Sequence, residues 1–561
     1  MTGSRESGAG DVVAVAALGG LLALGAFTWL WGGVAGALFG AGWPRVAPGQ
    51  MLAVMIRLPA NLAHPARAWP GGARATLPGA GQFYAAFALL AGVVGTLGLG
   101  AARTGAGRLW RHDRGASWAR SRELSLLRSR RQRARLVLGR GHGRLLYAEH
   151  RHALVAFGPP QSGKSAGLAI PAMLDWHGPV IASSIKTDLL DATVRRRREL
   201  GPVLVFDPFE LSAVDASSWS PLGGARTWDG ALETAWRLAA AGELDQRSVE
   251  GGDFWAVAAE QRLAPLLYAA AATGEQIASV VRWAYGQGAR ELHAALQRLA
   301  ERAEDEQGLA DARAAYDAAR AFEAQAERTR ASIEGTVQAL LRAYRFARVL
   351  RSSGSCEIVP DAILDDSATL YLVGDAKASK LLRPLFVALI SEIVDRAYER
   401  ATRGGGALVS PLLLCLDEAG NVAPLPNLAE IASTAPSHNI QLVSIFHDLA
   451  QARSRYGRQA ETVVNSHRAR MLLPGVADLE TLRYFSGLVG EEEARERSYS
   501  TGAGGTTRSV ARRRRPLVAP EALRQLPDGH ALLLYGRLAP ATIRLRLWFR
   551  DRRLRRLAGG R

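Results

Sequence analysis

An α/β fold is predicted for this chain: a mainly parallel sheet around a nucleotide-binding loop, with an inserted all-α domain and an amino-terminal anchor of two transmembrane helices. Three observations carry that expectation. A glycine-rich stretch, GPPQSGKSAG, lies between an apolar strand-like run and an apolar helical one. Short apolar runs, PVIAS, PVLVFD, ATLYLVGD and PLLLCL, are spaced through the chain as buried strands. Two long uncharged runs open the sequence, and an alanine-rich block later interrupts the strands.

The anchor takes residues 1–102. Val12 to Trp43 and Gln82 to Ala102 hold no charged residue, which predicts crossings over about 12–40 and 82–102. Arg5 stands beside Glu6 and Asp11, and the first run exceeds the apolar length of a secretory signal, so the segment is expected to be retained. Between the spans lie Arg45, Arg57, Arg67 and Arg74, against eleven arginines from Arg103 to Arg135. The denser side reads as cytoplasmic, which predicts a multi-pass inner or plasma membrane protein with its bulk in the cytoplasm and a short outer loop rich in Pro and Gly. Residues 103–150 form a basic juxtamembrane segment, either a collar for anionic lipid head groups or a nucleic-acid contact.

Residues 151–227 carry the first part of the core. HRHALVAF predicts a strand and SAGLAIPAMLDW a helix, with Gly158, Gly163, Lys164 and Ser165 between them in the spacing G-x-x-x-x-G-K-[ST]. The small loop Gly158, Pro159, Pro160, Gln161, Ser162 and Gly163 lets backbone N–H groups wrap phosphate oxygens at the positive end of a helix. Lysine occurs only at Lys164, Lys186, Lys377 and Lys380, in a chain with 70 basic residues. At position 164 a compact ammonium fits between the outer phosphates of ATP, where a guanidinium fork is too wide. Ser165 is the expected Mg²⁺ ligand. PLLLCLDEAGNVAPLPNL supplies its acidic partners: Asp417 to bind the metal through water and Glu418 to polarise the attacking water. A helix-capping role is the alternative for one of the two.

The block 228–350 is the all-α insertion, with Leu292, Leu296 and Leu299 on one helix face, and its charged stretches ERAEDEQ and QAERTR read as solvated. Residues 351–561 complete the core. There GEEEARERSYSTGAGGTTRSVARRRR reads as a polar, mobile segment, and HALLLYG with TIRLRLWF as a closing strand pair. His142, His150 and His152 lack zinc-site spacing. Cys356 and Cys415 are too few for a disulfide framework and are expected to be reduced. The net charge of +18 suits a polyanionic partner, or reflects arginine-rich codon usage.

Taken together the arrangement resembles the coupling ATPases of type IV secretion and conjugation, the TraG/TraD-like proteins. The resemblance rests on the two spans, GPPQSGKSAGLAIPAML with Pro171 one turn into the helix, SSIKTDLLDAT, VFDPFELSAVDASSWSPL, GDFW, LDEAGNVAPLPNL and RRPLVAPEALRQLPDGHALLLYGRLAP. It implies a RecA-like P-loop NTPase core, assembly as a homo-hexamer in the inner membrane, and delivery of relaxase-bound single-stranded DNA, or of effector proteins, to the channel proteins of a type IV secretion system. Relatives often carry a γ-phosphate-sensing glutamine where this chain has His447, with Gln451 four residues on, and some insert an arginine into the neighbouring subunit from the segment that here reads STAPSHN. Arg468 and Arg470 are the candidate substitutes, or else structural arginines. Two rival functions share parts of this reading: a septal-type double-strand DNA translocase, for whose winged-helix reader the RRLAGGR tail leaves no room, and a nucleotide-gated protein-docking platform.

Overall fold

The computed structural model describes residues 7–103, 115–128, 135–246, 252–365, 367–502 and 505–560. Two units emerge, Met1–Arg114 and Gly115–Arg561.

In the first unit, long helices run over Ser7–Phe39 and Ala80–Arg103. Trp31 of one donates its indole N–H to the Phe83 carbonyl of the other at 2.7 Å, and its ring packs edge-on against Trp69 and Phe83. Among the described residues one stretch, Gly19–Phe39, is long and apolar enough to cross a membrane. This corrects the expectation of two crossings. Of the second helix, Ala80–Arg103, the apolar part whose side chains are described is Ala80–Thr96. The side chains of 97–102 lie outside those described, as does much of the basic segment after them. The expected outer loop is largely helical: Pro48–Arg57 forms a helix with proline at its start, and Met51, Val54, Ala68 and Trp69 are buried in the unit's own small core.

The second unit is built on one sheet with strands β1 (Val137–Gly141), β2 (Arg144–Tyr147), β3 (Ala153–Phe157), β4 (Val180–Ser184), β5 (Val203–Phe206), β6 (Thr369–Val373), β7 (Leu412–Leu416), β8 (Ile440–Phe446), β9 (Ala469–Leu472), β12 (His530–Tyr535) and β13 (Ala541–Arg544). Their spatial order is β2-β1-β13-β12-β9-β3-β8-β7-β4-β6-β5. From β9 to β5 every pairing is parallel, and from β9 to β2 every pairing is antiparallel. The parallel strands are apolar on both faces because both are covered. Along β7, Leu412, Leu414 and Leu416 enter one core while Leu413 and Cys415 enter the other.

Three departures from expectation have physical reasons. β8 passes unrecognised beside the functional segment that follows it, although IQLVSIF is wholly buried. The hairpin of β1 and β2 is short, broken by a register shift, and rich in Gly and Arg. The segment expected to be mobile forms a two-stranded antiparallel ribbon, β10 (Glu491–Gly502) with β11 (Gly505–Pro516); Glu492 opposite Arg515 and Glu493 opposite Arg514 give it cross-strand charge pairs that a count of polar residues hides.

Between Trp228 and Arg351 the described residues form helices and no strand. Leu263, Leu267, Leu292, Leu296 and Val337 from this block share one continuous apolar core with the Leu412 face of the sheet. The cause is the long helix Ala376–Arg403, whose buried residues lie in that same core.

Candidate functional site

β3 lies between β8 and β9, so its carboxyl end opens at the centre of the sheet, where parallel α/β folds place their ligands. Gly158 follows β3 directly and donates to Phe446 O at 3.0 Å. A Cβ at 158 would stand 2.4 Å from Ser162 Oγ, so only glycine lets the loop fold back this tightly. Gly163 turns the chain at φ +87, into the region that favours glycine. The helix then starts as a wide π turn over Ser165–Ala169, where the Ile170 N–H reaches Ser165 O. Pro171 explains this: it has no N–H to offer the preceding turn, and its ring pushes that turn open.

The loop faces β7 across a cleft of about 480 Å³ lined by Pro160, Gln161, Ser162, Gly163, Lys164 and Ser165, with Asp417, Glu418 and His447 opposite. Gly158 and Pro159 lie beneath it, outside the lining. Asp417 and Glu418 stand where β7 ends, and the Asp417 N–H is held by Ser183 O at 3.1 Å. Ser165 Oγ donates to Asp417 Oδ2 at 2.5 Å. Lys164 Nζ donates to Glu418 Oε1, which also meets His447 Nε2 at 2.6 Å, while Asn421 Nδ2 donates to Glu418 Oε2 at 2.8 Å. Glu418 has a left-handed backbone, φ 62, uncommon for a residue with a Cβ and characteristic of functional sites.

The two neighbouring acids are driven apart. Burial pushes the Asp417 carboxyl up to about 6, against the pull of the Ser165 hydrogen bond and the Lys164 charge. Burial also acts to raise Glu418, but the hydrogen bonds from His447 and Lys164 outweigh it and hold that carboxyl at about 2. Asp417 Oδ1, Ser162 Oγ and Ser183 Oγ are buried without a hydrogen-bond partner. Of these, Asp417 and Ser162 line the cleft, and their orphaned oxygens fit a hydrated divalent cation and a polyphosphate, whose charge and donors would satisfy them.

Gln451 does not reach the cleft. Its side-chain oxygen accepts from the His447 N–H at 2.8 Å, and its own N–H donates to Asp448 Oδ1, so it fixes the start of the helix Leu449–Tyr456. Arg468 pairs with Glu149 at 3.0 Å, and Arg470 donates to Val464 O and Asn465 O; neither lines the cleft. The cleft is also lined by Ser184, Lys186 and Asp188, at and after the end of β4 in the stretch SSIKTDLLDAT, and by Asp528, Gly529, Leu547 and Phe549 from the carboxyl-terminal part, to none of which the sequence reading gave a role. Lys186 carried a signal, as one of four lysines; Asp528, Gly529 and Phe549 sit in ordinary turns.

A family profile described as type IV secretory system conjugative DNA transfer matches residues 116–559. Among curated proteins, a conjugal transfer protein TraG of Escherichia coli is 24% identical over 418 residues, covering 69% of this chain and 63% of that protein. A VirD4 protein of Rhizobium rhizogenes is 24% identical over 447 residues, covering 74% and 60%. The chain thus spans less than two-thirds of the length of these relatives. Among solved structures, the bacterial conjugative coupling protein TrwBdeltaN70 in unbound form aligns with a TM-score of 0.58 at 19% identity, over 77% of this chain and 93% of that one. TrwB complexes with the ATP analogue ADPNP and with ADP and Mg²⁺ align at 0.57 and 0.56. These likenesses bear out the α/β fold of the core.

Proposed function

The chain belongs to the type IV secretory system conjugative DNA transfer family, and from that premise we propose that it is a membrane-anchored ATPase coupling DNA, with an attached relaxase, or effector proteins to a type IV secretion channel. The carrying observation is the convergence of Lys164 and Ser165 with Asp417 and Glu418 across one cleft, from positions 252 and 254 residues apart in the chain. TraG and VirD4 proteins, and TrwB with its bound nucleotides, supply the context.

The reaction is hydrolysis of the terminal phosphoanhydride. Backbone N–H groups of the loop 158–163 hold the phosphates and Lys164 reaches between the outer two. Ser165 and Asp417 would hold Mg²⁺, which supplies charge neutralisation of the phosphates when bound. Glu418 orients a water and takes its proton as the water oxygen bonds to phosphorus and the anhydride oxygen leaves with ADP. For that the amine of Lys164 must release Glu418, so phosphate binding and freeing of the base are one event. His447 is the candidate sensor that holds Glu418 meanwhile, and Phe549, 45% exposed at the cleft, is a platform for the base. The core, split at the helical block 228–350, faces the cytoplasm, Gly19–Phe39 is the anchor, and copies assemble as a hexameric ring.

Replacing Lys164 by Ala should reduce ATP turnover by on the order of a thousandfold or more, with membrane insertion retained. Undiminished hydrolysis by the purified variant would falsify the site assignment. Single-stranded DNA should raise the wild-type rate, and the stimulation should fade with salt; indifference to DNA would favour a nucleotide-gated docking platform.

A further inference from the structure

The chain's four lysines fall two by two. Lys164 and Lys186 line the nucleotide cleft; Lys377 and Lys380 line a second cleft, of about 770 Å³. Both open on the same edge of the sheet. β4 and β6 are parallel neighbours with Ser184 opposite Val373, and the chain leaving β4 walls the first cleft as the chain leaving β6 walls the second.

The second cleft is basic and aromatic. Arg342, Arg348, Lys377 and Lys380 are all exposed, and among the described residues none of them is ion-paired. Arg342 donates to Lys380 O at 3.2 Å and Arg348 to Phe209 O at 3.3 Å, which fixes both guanidinium groups at the rim. Phe346 is 44% exposed and meets Phe209 edge-on at 5.6 Å, with Arg348 over the Phe209 ring at 5.2 Å. The single acid of the lining, Asp375, accepts from the N–H groups of Lys377 and Ala378 at 2.9 and 2.7 Å, capping the helix Ala376–Arg403. The helix terminus is therefore already satisfied and contributes no site of its own.

An exposed ring framed by four unneutralised cations matches a ligand that is flat and apolar at its centre and anionic on both sides. An unpaired base between two phosphodiesters has that form. A free nucleotide is matched less well, because the backbone N–H groups that would cradle its phosphate are taken by Asp375. We propose that Phe346 and Phe209 stack a base of single-stranded DNA while Arg342, Arg348, Lys377 and Lys380 hold its flanking phosphates. This rests on the DNA-transfer reading above, and gives the strand a contact one strand-spacing from the chain after β4 that walls the nucleotide cleft.

The test is binding of dye-labelled oligo(dT) to the purified full chain in detergent, followed by anisotropy across a salt series, alongside DNA-free ATP hydrolysis. The double variant Lys377→Ser/Lys380→Ser should bind more weakly, with the slope of log affinity against log salt flattened by about 1.4, at roughly 0.7 per phosphate contact. Phe346→Ala should lose about fivefold or more at every salt concentration. Lys377→Arg/Lys380→Arg should keep the wild-type slope, and DNA-free hydrolysis should stay unchanged in all three. Wild-type affinity and slope in the serine and alanine variants would remove the strand from this cleft while leaving DNA transfer standing. Equal competition by thymidine monophosphate would make it a mononucleotide site and overturn the proposal. A wild-type chain with no affinity for oligo(dT) would sink the DNA reading and this site together.

Discussion

The two edges of the parallel sheet each bury a cation, and they use it in opposite ways. At the amino edge Arg197 is fully buried; its guanidinium donates to Thr369 Oγ1 at 2.6 Å, to Trp176 O and Gly178 O at 2.7 Å, and to Ser367 O at 3.1 Å. No carboxylate faces it in these bonds. It ties the helix Asp188–Arg198 to the chain entering β4 and β6. At the carboxyl edge Lys164, 7% exposed, bonds a carboxylate that two further donors also hold, among oxygens with no partner at all. A cation held by three fixed carbonyls and a hydroxyl is scaffold. One that shares a single acid beside unsatisfied oxygens is set to exchange partners, and chemistry follows from that exchange.

Substitutions at the two edges should therefore fail in different currencies. Glu418→Gln keeps the shape of the cleft and removes the proposed proton acceptor, so turnover should fall about a thousandfold, with ATP binding retained. Loss of binding together with rate would mean that Glu418 shapes the cleft rather than acts in it. Arg197→Ala leaves three carbonyls and a hydroxyl buried without donors. It should cost about 3 kcal/mol or more of folding stability, read from urea unfolding, with the turnover of the folded fraction unchanged.

How much of this was legible follows the same division. The carboxyl edge announces itself: a glycine loop with a lysine in an arginine-rich chain, and an apolar run ending in Asp417 and Glu418, because phosphate chemistry restricts residue type and spacing. The strands β3, β5 and β7 are equally readable, being apolar on every residue, and β4 and β6 depart from that only at Ser183, Ser184 and Thr369. The amino edge left no mark, since Arg197 is one basic residue in the run VRRRR and only the fold shows which of them turns inward. Gln451 was misjudged for a similar reason: its spacing from His447 suits a cleft residue and a helix cap alike. The anchor's second helix is legible as a helix from its uncharged run, whereas a crossing is supported among the described residues only for Gly19–Phe39.

A third buried group lies between the edges and tests whether burial alone marks function. His467 is fully buried, with Nδ1 2.7 Å from Val463 O and Nε2 3.1 Å from Ser444 Oγ on β8. Burial, aided by the charge of Arg470, lowers its pKa from 6.5 to about 4. The folded state thus keeps His467 neutral where the unfolded chain protonates it. Stability from this group is complete above about pH 6.5 and is lost as pH falls toward 4, with about 2 kcal/mol gone between pH 7 and pH 5. His467→Gln should flatten that slope in urea titrations at the two pH values and leave ATP turnover per folded molecule alone. A variant as acid-labile as the wild type would assign the slope to other groups.

The smallest effect expected is the most telling for the carboxyl edge. His447 touches Glu418 Oε1 through Nε2 at 2.6 Å, and its own N–H is fixed by Gln451, so the helix start aims the ring at the acid. If the ring only positions Glu418, its removal lowers kcat and spares KM. His447→Ala should then lose about tenfold in kcat, the worth of one hydrogen bond to a charged group, while His447→Gln, which still donates, should stay within about threefold. A rise in KM in both variants at constant kcat would instead put His447 on the phosphates. The two outcomes divide positioning from sensing, because a group that steadies the base acts after ATP is bound and a group that grips phosphate acts before.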